Sequence, residues 1–448
     1  AAAGCAGAAP SSCSTGAEAM ARALHHAFFA QEARALRTRL ARVRPLSLNE
    51  TMVPAAALPS PTLAALDDHL ARGRRDLAQR VDAFLAWLDT AQGLAAAPGE
   101  VQARLVSIRG RFNIVLSELD LFAAVLSQRS EAETGTFMAG LDAAADDALR
   151  LPGDWYVPPP IMCYVDRSHG AAIRRARTRL PGGGLNPVAI IRVPRERMVG
   201  VGIASSLVHE VGHQAAALLD LAPLLRVRLA AIAAGAGEAG AAWTLWRRWL
   251  GEILADLWAV ARCGIAGPLG LIGVVSLPRA FVFRIGVDEP HPFPWIRVRL
   301  AIEMGRALWP DRQWDALDRL WADLYPPTGL DPLRATAIAL LEQTKADLVR
   351  ELLEHRPRAL RGARLRDVFD LPARSPARLR TTFAAWRRAP TAALATPPSL
   401  AFAVLGQARA DGALPPGAEG RITARLLTAW AVGRAFQRPA AAPLPVTT

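Results

Sequence analysis

The sequence predicts a mainly α-helical protein that carries a small β-sheet. Three observations point there. Over most of the 448 residues, apolar positions recur at three- and four-residue spacing with arginines between them, which is the helical period. Two short runs leave that period: one at 156–165, the other at Val188-Ala189-Ile190-Ile191-Arg192-Val193-Pro194, which is rich in β-branched residues and bounded by prolines. The chain is also too long for one hydrophobic core, so two or three domains are expected.

Taken in order, 17–44, 63–94, 101–128 and 131–149 read as helices, with Pro45, Pro54, Pro59 and Pro61 breaking the first region. The segment 154–160 marks a boundary, and 156–165 reads as an entry loop and a short strand. Pro181-Gly182-Gly183-Gly184 precedes the second strand as a turn. A helix follows over 199–220, with Ile203, Leu207, Val211, Ala215 and Leu218 on one face. Helical periodicity resumes over 299–325 and 332–355 and continues more patchily to Phe436. The first sixteen residues are uncharged, and the last ten are mostly Pro and Ala; both ends read as disordered tails. No internal repeat is evident.

The helix at 199–220 holds the most informative residues, His209-Glu210-Val211-Gly212-His213. At i and i+4, two imidazoles project from one face and can hold one zinc ion. Glu210 sits beside the first of them, where a carboxylate can take a proton from an activated water. Zinc in a hydrolase needs a third ligand and an open position. About forty residues on, Glu252 and Asp256 are again i and i+4, on a helix rich in Trp246, Trp249, Leu250, Ile253, Leu257 and Trp258. Carboxylates on so apolar a helix are costly unless a metal or a hydrogen bond receives them. Glu252 fits the third ligand, and Asp256 an acceptor for the second N–H of a ligating histidine. A solvated stripe paired with Arg247, Arg248 and Arg262 is the competing reading. Third comes Asp288-Glu289-Pro290-His291-Pro292-Phe293-Pro294, an extended turn leading into Trp295, Ile296 and Arg297. His291 and Arg297 are candidate donors to a developing oxyanion. The alternative is that Arg297 pairs with Asp288 or Asp256 and His291 caps a turn.

These three elements in this order resemble the gluzincin zinc metallopeptidases, most nearly soluble relatives of the HtpX-type and CAAX-prenyl-type endopeptidases. The likeness covers roughly 187–300, about a quarter of the chain. It implies zinc held by His209, His213 and Glu252, with Glu210 as general base and Asp256 supporting a ligand. It implies that His291 and Arg297 lie at the active site, and that the strand with Ile190, Ile191 and Arg192 forms the cleft edge along which substrate backbone pairs. A plain core strand is the alternative for that segment. Tyr164 and His169 are further oxyanion candidates. The resulting partition is a tail at 1–16, an N-terminal helical domain at 17–150, a zincin-like catalytic domain at 151–330 and a C-terminal helical domain at 331–448 with a disordered end. The expected activity is zinc-dependent hydrolysis of peptide bonds in a peptide or protein substrate; the alternative is a non-catalytic helical binding or scaffold protein on a zincin fold.

Composition excludes other classes. The longest charge-free apolar run, 263–278, is sixteen residues with Pro268 and four glycines, too short to span a bilayer, so no transmembrane segment is expected. The membrane members of the resembled family carry such segments, which sets their membrane substrates aside here. A net charge of +13 invites a nucleic-acid reading. The arginines, however, are spread along helices without aromatic interleaving, Lys345 is the single lysine, and no nucleic-acid partner is expected. Arg174, Arg175, Arg177 and Arg179 form the one dense cluster and read as a solvated loop. Cys5, Cys13, Cys163 and Cys263 show no metal or disulfide spacing; Cys13 reads as a free tail thiol. No signal peptide is evident, and a cytoplasmic location is the expectation, with a leader removed ahead of Ala1 left open. The flanking helices are expected to buttress the core and leave surface for a partner.

Overall fold

The computed structural model describes residues 13–166, 171–180, 184–194, 200–286 and 289–436. The two tails, His169, Asp288, Cys5 and the turn at 181–183 lie outside the described residues, as does the side chain of Cys13. Helix dominates and one three-stranded sheet is present, as the sequence predicts. The chain divides into two compact units.

The first unit comprises 1–51, 60–127 and 179–186. Its helices are α1 (Cys13–Ala41), the short α2 (Leu46–Asn49), α3 (Ser60–Leu88), the short α4 (Ala91–Ala95) and α5 (Pro98–Ser127). Buried positions on α3 follow helical spacing through Leu66, Leu70, Leu77, Val81, Phe84 and Leu88. Of these, Leu77, Val81, Phe84 and Leu88 meet Phe29, Leu36 and Leu40 of α1 and Leu105, Ile108 and Phe112 of α5 in one core. A buried polar link joins α3 to α5, His69 Nε2 to Glu118 Oε2 at 2.9 Å.

The second unit comprises 52–59, 128–178 and 187–448. It runs through α6 (Ala132–Leu149), β1 (Ile161–Asp166), β2 (Ala172–Arg174) and β3 (Ala189–Pro194). Then come α7 (Val201–Leu218), α8 (Leu221–Gly235), α9 (Gly240–Cys263), α10 (Ala266–Val275), the short α11 (Arg279–Val282), α12 (Pro294–Leu308) and α13 (Arg312–Leu324). The last four are α14 (Pro332–Leu353), α15 (Pro376–Arg388), α16 (Pro398–Ala410) and α17 (Pro416–Phe436). The C-terminal helices, read from the sequence as a domain of their own, share this unit. Here α14 packs on α9 and α12, α16 on α9, and α17 along α6. α6, assigned above to the N-terminal domain, also belongs here, so the division falls at Ser127 and not near 150.

In the sheet β3 is central, parallel to β1 and antiparallel to β2. A buried ion pair anchors β1. Arg129 donates to both carboxylate oxygens of Asp142 at 2.8 and 3.2 Å and to the carbonyl of Cys163 at 3.0 Å. Asp142 accepts from the Cys163 amide at 2.7 Å. Both backbone groups of Cys163 are thereby tied to α6 and its flank, fixing where the strand lies.

Behind the sheet the core is tryptophan-rich. Trp246, Trp258, Trp295, Trp314 and Trp321 are fully buried, and each indole N–H finds an acceptor: Thr344 Oγ1 and the carbonyls of Ala148, Tyr325, Trp309 and Trp295 respectively. Trp249 of α9, equally buried, leaves its indole N–H without an acceptor, so these five bonds, and not burial alone, tie α9, α12 and α13 to their neighbours. The charge-free run at 263–278 ends α9 and forms α10 within this core. Among the described residues no helix is long and apolar enough to cross a membrane.

Candidate functional site

Two glycines place the motif helix α7. Gly200, just before it, has φ +58°, and a side chain there would collide with the Glu419 carboxylate of α17. That carboxylate lies at the positive end of the α7 dipole. Gly212, between the two histidines, faces α9: a Cβ would stand 2.8 Å from Ala255 Cα and from Trp258 Cβ. Its absence lets the two backbones approach closely enough for His209 and His213 on one helix to meet Glu252 and Asp256 on the other.

One ligand atom from each of His209, His213 and Glu252 lies within 4.8 Å of the others. His209 Nε2 stands 3.2 Å from Glu252 Oε2, and His213 Nε2 3.5 Å from Glu252 Oε1. On the far side of its ring, His209 Nδ1 lies 2.8 Å from Asp256 Oδ1. The carboxylate can only accept, so the network assigns Nδ1–H as donor and leaves the Nε2 lone pair aimed at Glu252 in the neutral ring. Glu252 Oε2 is buried and, though His209 and His291 nitrogens both lie 3.2 Å away, receives no hydrogen bond of proper geometry. Lone pairs converging on one point, with a buried oxygen unsatisfied, suit a cation between them. Two imidazoles and one carboxylate are a donor set for zinc.

The electrostatics agree. Burial works against the His209 imidazolium, yet the Asp256 and Glu252 carboxylates outweigh it and push its pKa up to about 9. Burial alone would raise Glu252; the close imidazoles of His209, His213 and His291 hold it far below the usual carboxylate range. Asp256 is likewise buried and likewise held low, by Arg297 and His209. The same carboxylates would attract a divalent cation, which must displace that proton to bind.

Arg297 enters from α12. Its Nε donates to Asp256 Oδ2 at 2.7 Å and its terminal nitrogen to Oδ1 at 2.9 Å. Expected from the sequence as a catalytic donor, it is instead bound to Asp256 and buried behind the ligands. Its fork geometry matches a carboxylate, and pairing Asp256 is what stabilises both charges at that depth. His291 stands at the cleft. Its Nε2 lies 3.2 Å from Glu252 Oε2 and its Nδ1 2.8 Å from Glu289 Oε1, with the side chain about 43 % exposed. Those two carboxylates raise its pKa, Glu252 first, against a smaller effect of burial. Glu210 is 8 % exposed and lines the same cleft; burial raises its pKa, opposed by His209 and His213.

The cleft holds about 780 Å³ and opens onto His209, Glu210, His213, Glu252 and His291. Its opposite wall is β2 with Ala171 and Arg175, not β3. This corrects the assignment of Ile190, Ile191 and Arg192 as the substrate-pairing edge. Those residues are paired on both sides, with Met162, Cys163 and Tyr164 on β1 and with Arg174, Ile173 and Ala172 on β2. A central strand has no free ladder to offer, whereas β2 pairs with β3 alone among the described residues. Tyr164 lies on β1, apart from the cleft lining.

Three charged cleft residues were not singled out by sequence reasoning as site residues: Arg175, Asp220 and Arg226. Helical spacing carried no signal for Asp220, which lies past the end of α7 as the left-handed residue before α8. Arg175 was read as part of a solvated cluster, and only the pairing of β2 brings it to the cleft.

No family model, curated protein or solved structure matches this chain.

Proposed function

We propose that the chain is a zinc-dependent peptidase. The observation that carries this reading is the convergence of His209, His213 and Glu252 on one point, with Glu252 Oε2 buried and unsatisfied, at the floor of a cleft also lined by Glu210. Bound there, zinc would supply Lewis acidity toward a substrate carbonyl and a water molecule.

The chain's own groups account for the remaining tasks. Asp256 and Arg297 fix the ring of His209, so that Nε2 and not Nδ1 faces the cleft. Glu210 is the general base: it takes the proton of the attacking water and passes it to the leaving amine. Its burial favours that cycle, because a partly desolvated carboxylate is more basic than one in water. His291, half-exposed at the cleft and held by two carboxylates, is the donor available to an oxyanion. The edge of β2 away from β3, unpaired among the described residues, offers backbone groups to an extended peptide, which would lie antiparallel or parallel to it across from the proposed ligands.

The test is cleavage-site profiling of a protein mixture with zinc-loaded wild type and Glu210→Gln. Peptide bonds cut by the wild type and spared by a variant that retains zinc are the expected result. Equal cleavage by both, or a wild type that takes up no zinc, sinks the reading.

A further inference from the structure

The stretch that joins α10 to α11 is apolar and exposed at once. Val274, Leu277 and Phe281 stand 58, 42 and 51 % exposed, while Leu271 before them and Val282 and Phe283 after them are buried. Buried anchors on both flanks fix the ends of the stretch and leave its middle at the surface. A second segment lies against it: Tyr325 donates to the Leu277 carbonyl at 3.0 Å, and Arg279 donates to the carbonyls of Pro326 and Thr328. These bonds bring the chain at Leu324, 57 % exposed, next to the same surface. Exposed apolar side chains scattered singly are ordinary, whereas four on two hydrogen-bonded segments mark a contact surface.

The charge of that surface selects the occupant. From Gly264 to Gly286 the sequence holds no acidic residue, and its charges are Arg279 and Arg284. Arg279 is bound to carbonyls and lies over the Phe283 ring, and Arg284 lies over the Phe281 ring. Carbonyls and rings carry no net charge, and neither guanidinium pairs with a carboxylate among the described residues, so both cations stay uncompensated. The second segment adds Arg319 and Asp323, one of each sign on α13, which leaves the excess at Arg279 and Arg284. A second copy of the chain is a poor occupant, because a two-fold contact would bring the same arginines together. Apolar side chains that can enter an acyl layer, with guanidinium groups beside them for phosphate, fit an anionic lipid surface.

We propose that the α10–α11 stretch docks the protein on an anionic bilayer, with Leu277 and Phe281 entering the lipid and Arg279 and Arg284 meeting headgroup phosphates. The contact is peripheral, since among the described residues no helix is long and apolar enough to cross a membrane. A few apolar side chains alone give weak, reversible binding, and each arginine near an anionic surface adds roughly fivefold. Binding therefore needs both components and weakens as salt screens the arginines. The contact requires neither zinc nor catalysis, so its test is independent of the peptidase reading.

The test is co-sedimentation of the full-length protein with phosphatidylcholine vesicles, prepared with and without phosphatidylserine. The expected result is binding to the phosphatidylserine vesicles, little to phosphatidylcholine alone, and a decline as salt is raised. Leu277→Asp combined with Phe281→Asp, both at exposed positions, lowers binding about tenfold or more. Arg284→Gln lowers it roughly fivefold on anionic vesicles. Circular dichroism is unchanged in each variant. Leu48→Asp, at an exposed apolar position of the other unit, leaves binding intact and so separates this stretch from the overall positive charge of the chain. No binding to anionic vesicles overturns the proposal, as does binding that survives the paired Asp substitutions. A wild type that ignores vesicles but sediments as a dimer, dissociated by Phe281→Asp, assigns the surface to a second copy and overturns it too.

Discussion

Arg297 and Asp256 form a two-point ion pair, Nε to Oδ2 at 2.7 Å and the terminal nitrogen to Oδ1 at 2.9 Å, and the same Oδ1 receives the Nδ1–H of His209 at 2.8 Å. One carboxylate thus links α12, which contributes no candidate ligand, to the imidazole of the candidate ligand His209. The consequence is that α12 holds a ring nitrogen in place without touching the cleft. Asp256→Asn keeps the shape but loses the charge, and zinc affinity is expected to fall about 10–100-fold. Arg297→Lys cannot grip both oxygens and should weaken zinc in the same direction. Competition with a chromogenic chelator measures both. Unchanged affinity in the two variants would show that His209 needs no such support.

Much of this candidate site was legible in the sequence because its proposed ligands obey helical periodicity. His209 and His213, and again Glu252 and Asp256, are i and i+4 pairs, and that spacing fixes a face whatever the fold around it. The partner of Arg297 was legible only as one of two choices, since Asp256 and Asp288 were equal candidates until the packing of α12 on α9 was known. The cleft edge was not legible. Strand β3 has the better strand sequence because it is central and buried, and the pattern that marks it as a strand removes it from the edge. The edge belongs to β2, three residues long and arginine-flanked, too short for a period-two signal. The fold class followed from periodicity, but the allocation of helices to units rests on contacts between residues hundreds of positions apart, such as Ser399 with Asp147.

Gly212 gives a second prediction, with opposing terms. In an isolated helix Gly212→Ala would be stabilising by about 1 kcal/mol. Here the new methyl would meet backbone and Cβ atoms of α9 at 2.8 Å, and neither can rotate away. The helices must separate, and net destabilisation of about 1–3 kcal/mol is expected, together with weaker zinc because the ligands sit on both helices. Urea unfolding of metal-free protein reads the first effect and chelator competition the second. A variant as stable as wild type, with normal zinc affinity, would mean the contact is looser than these distances imply.

Alkaline stability follows from Cys263, buried at the end of α9. Burial pushes its thiol up to about 12 from an ordinary 9.0, although Arg374 and Arg262 pull the other way. Below pH 9 the thiol is protonated in both folded and unfolded chains and adds no pH dependence. Between pH 9 and 12 the unfolded chain releases a proton that the folded one retains, so stability falls as pH rises, by about 1.4 kcal/mol per unit at most. By pH 10.5 the loss from this group is about 2 kcal/mol. Burial raises Cys163 and Tyr156 as well, with the same sign, so the test is a difference. Chemical unfolding of wild type and Cys263→Ala from pH 8 to 10.5 should show a shallower decline in the variant. Parallel declines would contradict the assignment.

The Arg129–Asp142 pair yields a fourth prediction. Arg129 is completely buried, and removing only its partner would strand a cation in the core. Asp142→Ala should cost about 3–5 kcal/mol, whereas replacing both residues by apolar side chains of similar volume should recover much of that loss. The double variant still leaves the Cys163 amide without its acceptor, so it should remain below wild type. Urea unfolding of the two variants decides. Equal stability of single and double variants would argue that the lost strand anchor, not the orphaned charge, dominates.

Metal removal supplies the last prediction. The three proposed ligands come from two helices and form a set only in the folded chain, so zinc should bind the native state and stabilise it by mass action. At free zinc about 100-fold above the dissociation constant, the gain is about 2.7 kcal/mol. EDTA should therefore lower the unfolding midpoint of zinc-loaded wild type, and added zinc should restore it. Glu252→Gln removes one ligand and the carboxylate facing His209, so its unfolding should no longer respond to zinc. Glu210→Gln, which touches no ligand atom in this scheme, should keep the full response while losing activity. That contrast separates holding the metal from using it. If Glu252→Gln still shows the wild-type zinc shift, the ion sits elsewhere, and the geometry of His209, His213 and Glu252 is that of a buried hydrogen-bond cluster.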